Sequence, residues 1–394
     1  MSASMTRAGG VALLPDTLDD EQRSLRDSIV TFAREQLGGG LDERDRDGDF
    51  SREDWRRCAQ LGLVGMPVPT RYGGLEASAT TIAAALEGLG YGCADNGLIF
   101  SINAQTWACE LPIVHFGNEE QKQRWLPGLC DGSLIAAHAM TEPESGSDAF
   151  ALRTTATATD EGWALSGSKT FVTNAPESDL FVVFATTDRS RGFAGLCAFL
   201  VARDTPGLQV GKPFSKMGLR TSALGELFLD DCRVPADALL GEPGAGMAIF
   251  NSSMRWERSL ILAAAVGTMR RQLERCVAYA RERVQFGTPI GGFQAVSHPL
   301  ADMRVRLQTS HMMLYRIAAL LDAKAATDLD AAMTKLHLSE ALIASSLAAL
   351  QIHGGSGYVT ETGLERDVRD ALGSRIYSGT SEMQRNVIAR HLGL

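Results

Sequence analysis

The feature that most limits what this chain can become is a change of period in its middle. Between about residues 153 and 233 the sequence is rich in Thr, Val, Phe and Gly and breaks into short runs, TTATATD, WALSG, LFVVFATTD, GLCAFLV and ELFLDDCRV, separated by turn chemistry such as DEG and SGS. Runs of that length, alternating or wholly apolar, predict strands. On both sides the apolar residues recur at helical spacing instead. The order predicts an α+β fold, mostly α, with an N-terminal helical domain over residues 1–131, a middle β domain over 132–243 and a C-terminal helical bundle over 244–394. At 394 residues the chain is long enough to bury a substantial core.

In the first block, Leu25, Ile29, Phe32 and Leu37 lead to a Gly38-Gly39-Gly40 stop, and LDERDRDGDF then reads as a solvated linker. Ser51-Arg-Glu-Asp54 has the pattern of a capping box, and further helices are expected over residues 80–89 and 97–116 and from Asn118 to just before Pro127. In the last block, residues 252–294 predict one long helix that ends at Gly287 ahead of a Thr-Pro turn. Glu257 lies in it with Met254 three residues before and Leu260 and Ile261 three and four after, so its helical neighbours are apolar. Two readings follow. Burial would raise its pKa and make it a poised proton acceptor. Alternatively, it is a partly exposed glutamate at a helix start, favoured by the macrodipole.

Composition and motifs remove several classes. The net charge is −9 and no Lys/Arg-rich run occurs, so nucleic acid is not an expected partner. No apolar run reaches the roughly 18 to 20 residues of a membrane span, and MSASMTRAGGVA lacks the apolar core of a secretory signal. A soluble, cytoplasmic enzyme is expected. The seven cysteines are dispersed without a C-x-x-C or a histidine at ligand spacing, which predicts reduced core thiols and no metal site. Gly88-Leu-Gly90-Tyr-Gly92 has the wrong spacing for a dinucleotide fingerprint, and P-loop, H-E-x-x-H and G-x-S-x-G patterns are absent.

What remains is a set of loops rich in Gly, Ser and Thr, whose short side chains let backbone N–H groups approach a phosphate or a polar ring edge. Each alone also reads as an ordinary turn. Taken together, MTEPESGSD, KTFVTNAP, ARERVQFGTPIGGFQAVSH, QIHGGSGY and RIYSGTSEMQRNVIARHL resemble, in order and spacing, the acyl-CoA dehydrogenase family of flavoproteins. The resemblance runs from about Leu18 to Leu394 and implies that family's fold, with a four-helix bundle at the C-terminus, and FAD as cofactor. It implies that Met140, Thr141 and Ser147 line the flavin and that Phe171 and Thr173 cover its ring system. Arg283, Phe286 and Gln294, with Gln351, Gly354 and Gly355, match positions that reach the FAD of a neighbouring subunit, and Thr380 and Glu382 match the loop at the cofactor's phosphate and sugar. A homotetramer is implied.

The family's usual catalytic glutamate precedes the Gly-Thr-Ser of the last segment, where this chain has Ser378. A branch that resembles isovaleryl-CoA dehydrogenase carries it instead before an arginine early in the bundle, here Glu257 and Arg258, and Arg258 and Ser378 then border the substrate. The reaction implied is α,β-dehydrogenation of an acyl thioester with Glu257 as base, passing electrons to an electron-transfer flavoprotein or to oxygen. SSMRWERSLILAAAVGTMRRQLE is similar to the branch that oxidises prolyl groups on peptidyl carrier proteins in secondary metabolism. Arg255 stands where many CoA-using relatives carry an acidic residue, which favours a carrier-protein thioester over CoA. A short or branched-chain acyl-CoA dehydrogenase is the alternative. A flavin monooxygenase or oxidase, or a non-catalytic acyl-binding homologue, would be readings of another class.

Overall fold

The computed structural model describes residues 18–394, so the stretch read as lacking a secretory signal lies outside the described residues. The first helical block holds α1 (Asp20–Gln36), α2 (Leu41–Asp47), α3 (Arg52–Gln60), α4 (Ala79–Gly92), α5 (Asn96–Gln105), a π-helical turn (Thr106–Glu110), α6 (Leu111–Phe116) and α7 (Glu119–Cys130). The strands are β1 (Ala136–Ala139), β2 (Thr155–Thr159), β3 (Gly162–Thr173), β4 (Leu180–Thr186), β5 (Leu196–Ala202), β6 (Leu208–Val210), β7 (Leu224–Pro235) and β8 (Leu239–Leu240). After α8 (Gly246–Leu260) and α9 (Ala263–Glu282) comes a short hairpin of β9 (Val284–Gln285) and β10 (Thr288–Pro289). The chain ends with α10 (Gln294–Asp322), α11 (Asp328–His353), α12 (Gly355–Tyr358), α13 (Leu364–Gly373) and α14 (Ser381–His391). The α+β class, mostly helical, is as expected, and among the described residues no helix is long and apolar enough to cross a membrane.

Two compact units divide the chain, each from separated segments. A sheet unit comprises residues 43–78 and 97–257. A helical unit takes the chain up to Asp42, residues 79–96 and residues 258–394.

In the sheet unit the strands run in the order β6-β7-β3-β2-β4-β5-β8, with β1 parallel to β4. β4 is buried along its whole length, and its side chains alternate between two apolar layers: Leu180, Val182 and Phe184 on one side, Phe181, Val183 and Ala185 on the other. Cys109, Cys130, Cys197 and Cys232 pack in these layers as buried free thiols. Strand β1, the alanine-rich AAHA, has too little β-branched character to stand out in the sequence, and its pairing with β4 makes it a strand. The expected solvated linker after Gly40 is largely helix α2 instead: Arg44 pairs with the buried Asp54 at 3.1 Å, so tertiary ion pairing orders a charged segment.

In the helical unit Gly88-Leu-Gly90-Tyr-Gly92 has a packing role. Gly88 and Gly92, one turn apart, face α1, where an added Cβ would come 2.7 Å from the Arg26 carbonyl oxygen and 2.8 Å from that of Val30. Gly90 faces the other way, and its Cβ would lie 2.0 Å from the Ala264 carbonyl oxygen. Gly267 approaches α4 as closely, 2.0 Å from the Glu87 carbonyl oxygen. This backbone contact accompanies a departure from expectation. The single long helix is two, broken at Ile261 and Leu262, and α9 ends at Glu282 before the hairpin. Residues 260–266, LILAAAV, contain no Gly or Pro, so the break comes from tertiary packing.

Candidate active site

In the sheet unit one face of α8 rests on the π-helical turn. Ser253, Trp256 and Glu257 share that face by their three- and four-residue spacing. Ser253 Oγ donates to the Trp107 carbonyl oxygen at 3.1 Å. The Trp256 indole stacks on that of Trp107 with centroids 6.2 Å apart and planes 12° from parallel, and Trp107 Nε1 donates to Asn103 Oδ1 at 2.7 Å. Glu257 is 7% exposed. It stands near the C-terminal end of α8, where the macrodipole disfavours a carboxylate, so the reading of a solvated glutamate at a helix start does not hold. Cys109, on the same turn, has its thiol pushed far up by burial and then by the charges of Glu110 and Glu257. Arg255 is exposed.

The turn also carries a group that sequence reasoning missed. Glu110 is completely buried; its Oε1 accepts from Gln105 Nε2 at 2.8 Å, while its Oε2 has no hydrogen-bond partner among the described residues. Burial pushes its carboxyl up to about 8, with the Gln105 bond opposing, so it carries its proton at neutral pH. The only sequence signal was a lone acid in the apolar run WACELPIV.

A second group surrounds the end of β1. Lys169 is fully buried and donates to the Met140 carbonyl oxygen at 3.2 Å and to Glu142 Oε1 at 2.8 Å. Burial pulls its ammonium down to about 8, against the pull of Glu142, which leaves it charged at neutral pH. Glu142 also accepts from the backbone N–H groups of Arg153 and Thr154, and the Thr170 N–H donates to the Thr141 carbonyl oxygen at 2.9 Å. This network fixes Met140 and Thr141 against β3. A register shift between Lys169 and Val172 puts a bulge in β3 beside β7, and there Phe171 takes a left-handed φ of 54° and projects 64% exposed, its ring 5.5 Å from that of Phe214. Thr173 follows at the strand end, and Ser147 lies in an exposed loop. His138, two residues before Met140, is packed between Phe184 and Phe250; burial, then Lys169, lower it to about 4.

The helical unit holds two more groups. Tyr279 of α9 stacks on His353 of α11 at 4.3 Å, which sets the C-terminal ends of these helices side by side. Arg283, Phe286 and Gln294 follow one end, Gln351, Gly354 and Gly355 belong to the other, and all six are exposed. Phe286 is 95% exposed and has a φ of 51° at the hairpin tip. The last group is the loop before α14. Arg258 Nε donates to the Ser378 carbonyl oxygen at 3.0 Å, and Lys335 Nζ and Gln384 Nε2 each donate to that of Gly379 at 2.8 Å. These bonds hold Ser378 at a φ of 57°. Thr380 caps α14 by accepting from the Met383 N–H, and Glu382 lies exposed in the first turn.

Each unit, taken by itself, carries groups that suit a flavin dinucleotide. Phe171 and Phe286 are aromatic rings held outward by strained backbone, Gly354 and Gly355 have open space where a Cβ would stand, and Arg283 is an exposed guanidinium, a chemistry suited to pyrophosphate.

Comparison with known proteins agrees. Family models described as the N-terminal, middle and C-terminal domains of acyl-CoA dehydrogenase match residues 19–133, 137–232 and 244–393. An L-prolyl-[peptidyl-carrier protein] dehydrogenase of Pseudomonas fluorescens is 42% identical over 95% of this chain and 99% of its own, and the human mitochondrial short-chain specific acyl-CoA dehydrogenase is 41% identical over 96% and 90%. Among solved structures, the prolyl acyl carrier protein oxidase AnaB superposes with a TM-score of 0.95 at 50% identity, covering 96% of this chain and all of that one. PigA with FAD and proline gives 0.94 at 39% identity, covering 97% and all of that chain. With all three domain models matched in order across a fold of the same class, the chain belongs to the acyl-CoA dehydrogenase family.

Proposed function

We propose that this chain is an FAD-dependent oxidoreductase that removes hydrogen across the α,β bond of an acyl thioester, with Glu257 as the base and a prolyl group on a carrier protein as the substrate. The observation that carries the reading is Glu257 itself, a buried carboxylate set by α8 against the π-helical turn. A thioester α-proton is weakly acidic, and a carboxylate removes it efficiently only in a dry site with a matched pKa. Bound FAD supplies the acceptor for the β-hydrogen as hydride. Glu257 holds the α-proton. Arg258 fixes the Ser378 loop, whose left-handed turn takes the place of the more usual glutamate.

The choice of a prolyl group rests on the relatives and neighbours named for it and on Arg255, which offers an exposed cation to an acidic carrier. A short-chain acyl-CoA is the second reading, favoured by the 41% identity to the human enzyme. Met140, Thr141, Ser147, Phe171 and Thr173 would hold the flavin within one subunit. The exposed set of Arg283, Phe286, Gln294, Gln351, Gly354 and Gly355 would reach a neighbour's FAD in a homotetramer, with Thr380 and Glu382 at the phosphate and sugar. An electron-transfer flavoprotein or oxygen, in the cytoplasm, would take the electrons.

The test is anaerobic mixing of the holoenzyme with prolyl-pantetheine thioester and with butyryl-CoA, read by loss of flavin absorbance. Bleaching by the prolyl thioester is expected, and the Glu257→Gln variant should keep its FAD content and lose bleaching by about 10³-fold or more. Full activity in that variant would remove the assignment.

A further inference from the structure

The pairing of Trp107 with Trp256 is not required by proton abstraction, yet it occupies the same helix face as Glu257. Trp107 is 1% exposed, bonded through Nε1 to Asn103 and through its carbonyl oxygen to Ser253, so its ring has no freedom to move. Trp256 is half-buried against it, nearly parallel at 6.2 Å. The π-helical turn (Thr106–Glu110) creates this arrangement: it presents Trp107 to α8 and places Cys109 within the electrostatic reach of Glu257. The result is a rigid double indole one residue from the base. Its π-face is electron-rich, large and flat, and it attracts a cation far better than an alkyl chain does.

We infer that the Trp107–Trp256 pair is the specificity-determining wall of the acyl site, and that it selects a cyclic amino-acyl group by packing the ring and its protonated nitrogen on the indole face. The inference rests on the acyl-thioester reading above and narrows it: the chemistry recognised is a secondary ammonium within a five-membered ring, and neutral acyl chains lose the cation–π share. Neither indole touches the transferred hydrogens, so the effect is on substrate choice, with Trp256 as the contact and Trp107 as the residue that positions it.

The holoenzyme is compared on three pantetheine thioesters: prolyl, the neutral isostere cyclopentanecarbonyl, and butyryl. Flavin bleaching gives kcat/KM, and calorimetry with the unreactive prolyl amide of pantetheine gives a binding readout that does not depend on turnover. The wild type should prefer prolyl over cyclopentanecarbonyl by about 10-fold. Trp256→Leu should erase that preference through the prolyl value alone, leave butyryl within about 3-fold, and weaken the prolyl amide by the same factor. Trp256→Phe, which keeps a smaller π-face, should restore part of it. Trp107→Phe provides a second variant that keeps the packing. An equal fall on all three substrates in Trp256→Leu, or a preference that survives it, overturns the inference while leaving the proposed function in place. A wild type bleached by butyryl and never by prolyl thioester overturns both the prolyl substrate and the wall. Bleaching by none of the three overturns the proposed function first.

Discussion

Glu257 and Phe286 stand at opposite extremes, 7% and 95% exposed, and each is held in place by a different device. Glu257 is fixed by side-chain packing: Ser253, one turn before it, is bonded to the π-turn, and Met254 and Leu260 on either side of it are buried. Phe286 is held by backbone, at the tip of a two-strand hairpin with a left-handed φ, and among the described residues its ring meets that of Phe293 at 6.0 Å. The contrast matches the different roles proposed for the two residues. A base needs a dry, preformed environment that the chain can supply by itself, whereas a ring held outward at an energetic cost gains only from something the single chain does not contain.

The largest effect should come from disturbing the packed member. Glu257→Asp keeps the charge and withdraws the carboxylate by about 1.5 Å, and a misplacement of that order lowers the rate about 10²-fold or more. Stopped-flow bleaching should show the loss in kcat with thermal stability nearly unchanged; wild-type kcat would mean that α8 does not fix the geometry. Next comes the neighbouring turn. The Glu110 carboxyl titrates at about 8 in the folded protein against 4.5 as its ordinary value. Between those values the unfolded chain has lost the proton that the folded chain keeps, so the stability contributed is full below about 4.5 and drains away as pH rises to about 8. Glu110→Gln removes this dependence and should be more stable than the wild type at pH 8, by on the order of 3 kcal/mol, and nearly equal at pH 4.5. Denaturant titrations at the two pH values decide it, and a parallel pH slope in the variant would exclude Glu110 as the source. The smallest effect belongs to the exposed member. Phe286→Ala removes almost no packing within the chain, so stability should change by less than about 0.5 kcal/mol. FAD affinity should fall about 10-fold and the oligomer weaken if the ring reaches a neighbour. Unchanged FAD content and sedimentation would return Phe286 to an ordinary surface residue.

Several residues of the proposed site were singled out by residue type. Glu257 stood out by its apolar neighbours, and Phe171, Gly354 and Thr380 by loops of small and hydroxyl residues. What escaped was whatever depends on two segments meeting. The π-helical turn has no sequence signature, because its extra residue is accommodated by packing against α8 and β1. Glu110 reads as a single acid in an apolar run, and only burial turns it into a neutral carboxyl. The expected linker after Gly40 failed for the same reason: its charges find partners in Asp54 and, through Asp42, in Arg366.

The sequence by itself determined the class of fold, through its switch from period 3.6 to period 2 and back, and the family, through five spaced loops whose glycines and hydroxyls are local requirements. Tertiary structure alone decided where the long helix after Gly246 breaks, why Gly88, Gly90 and Gly92 are glycine, and which carboxylates are dry. Backbone preference is a property of neighbouring residues and is written in the chain. Burial is a property of what the fold lays across a residue, and no local pattern contains it.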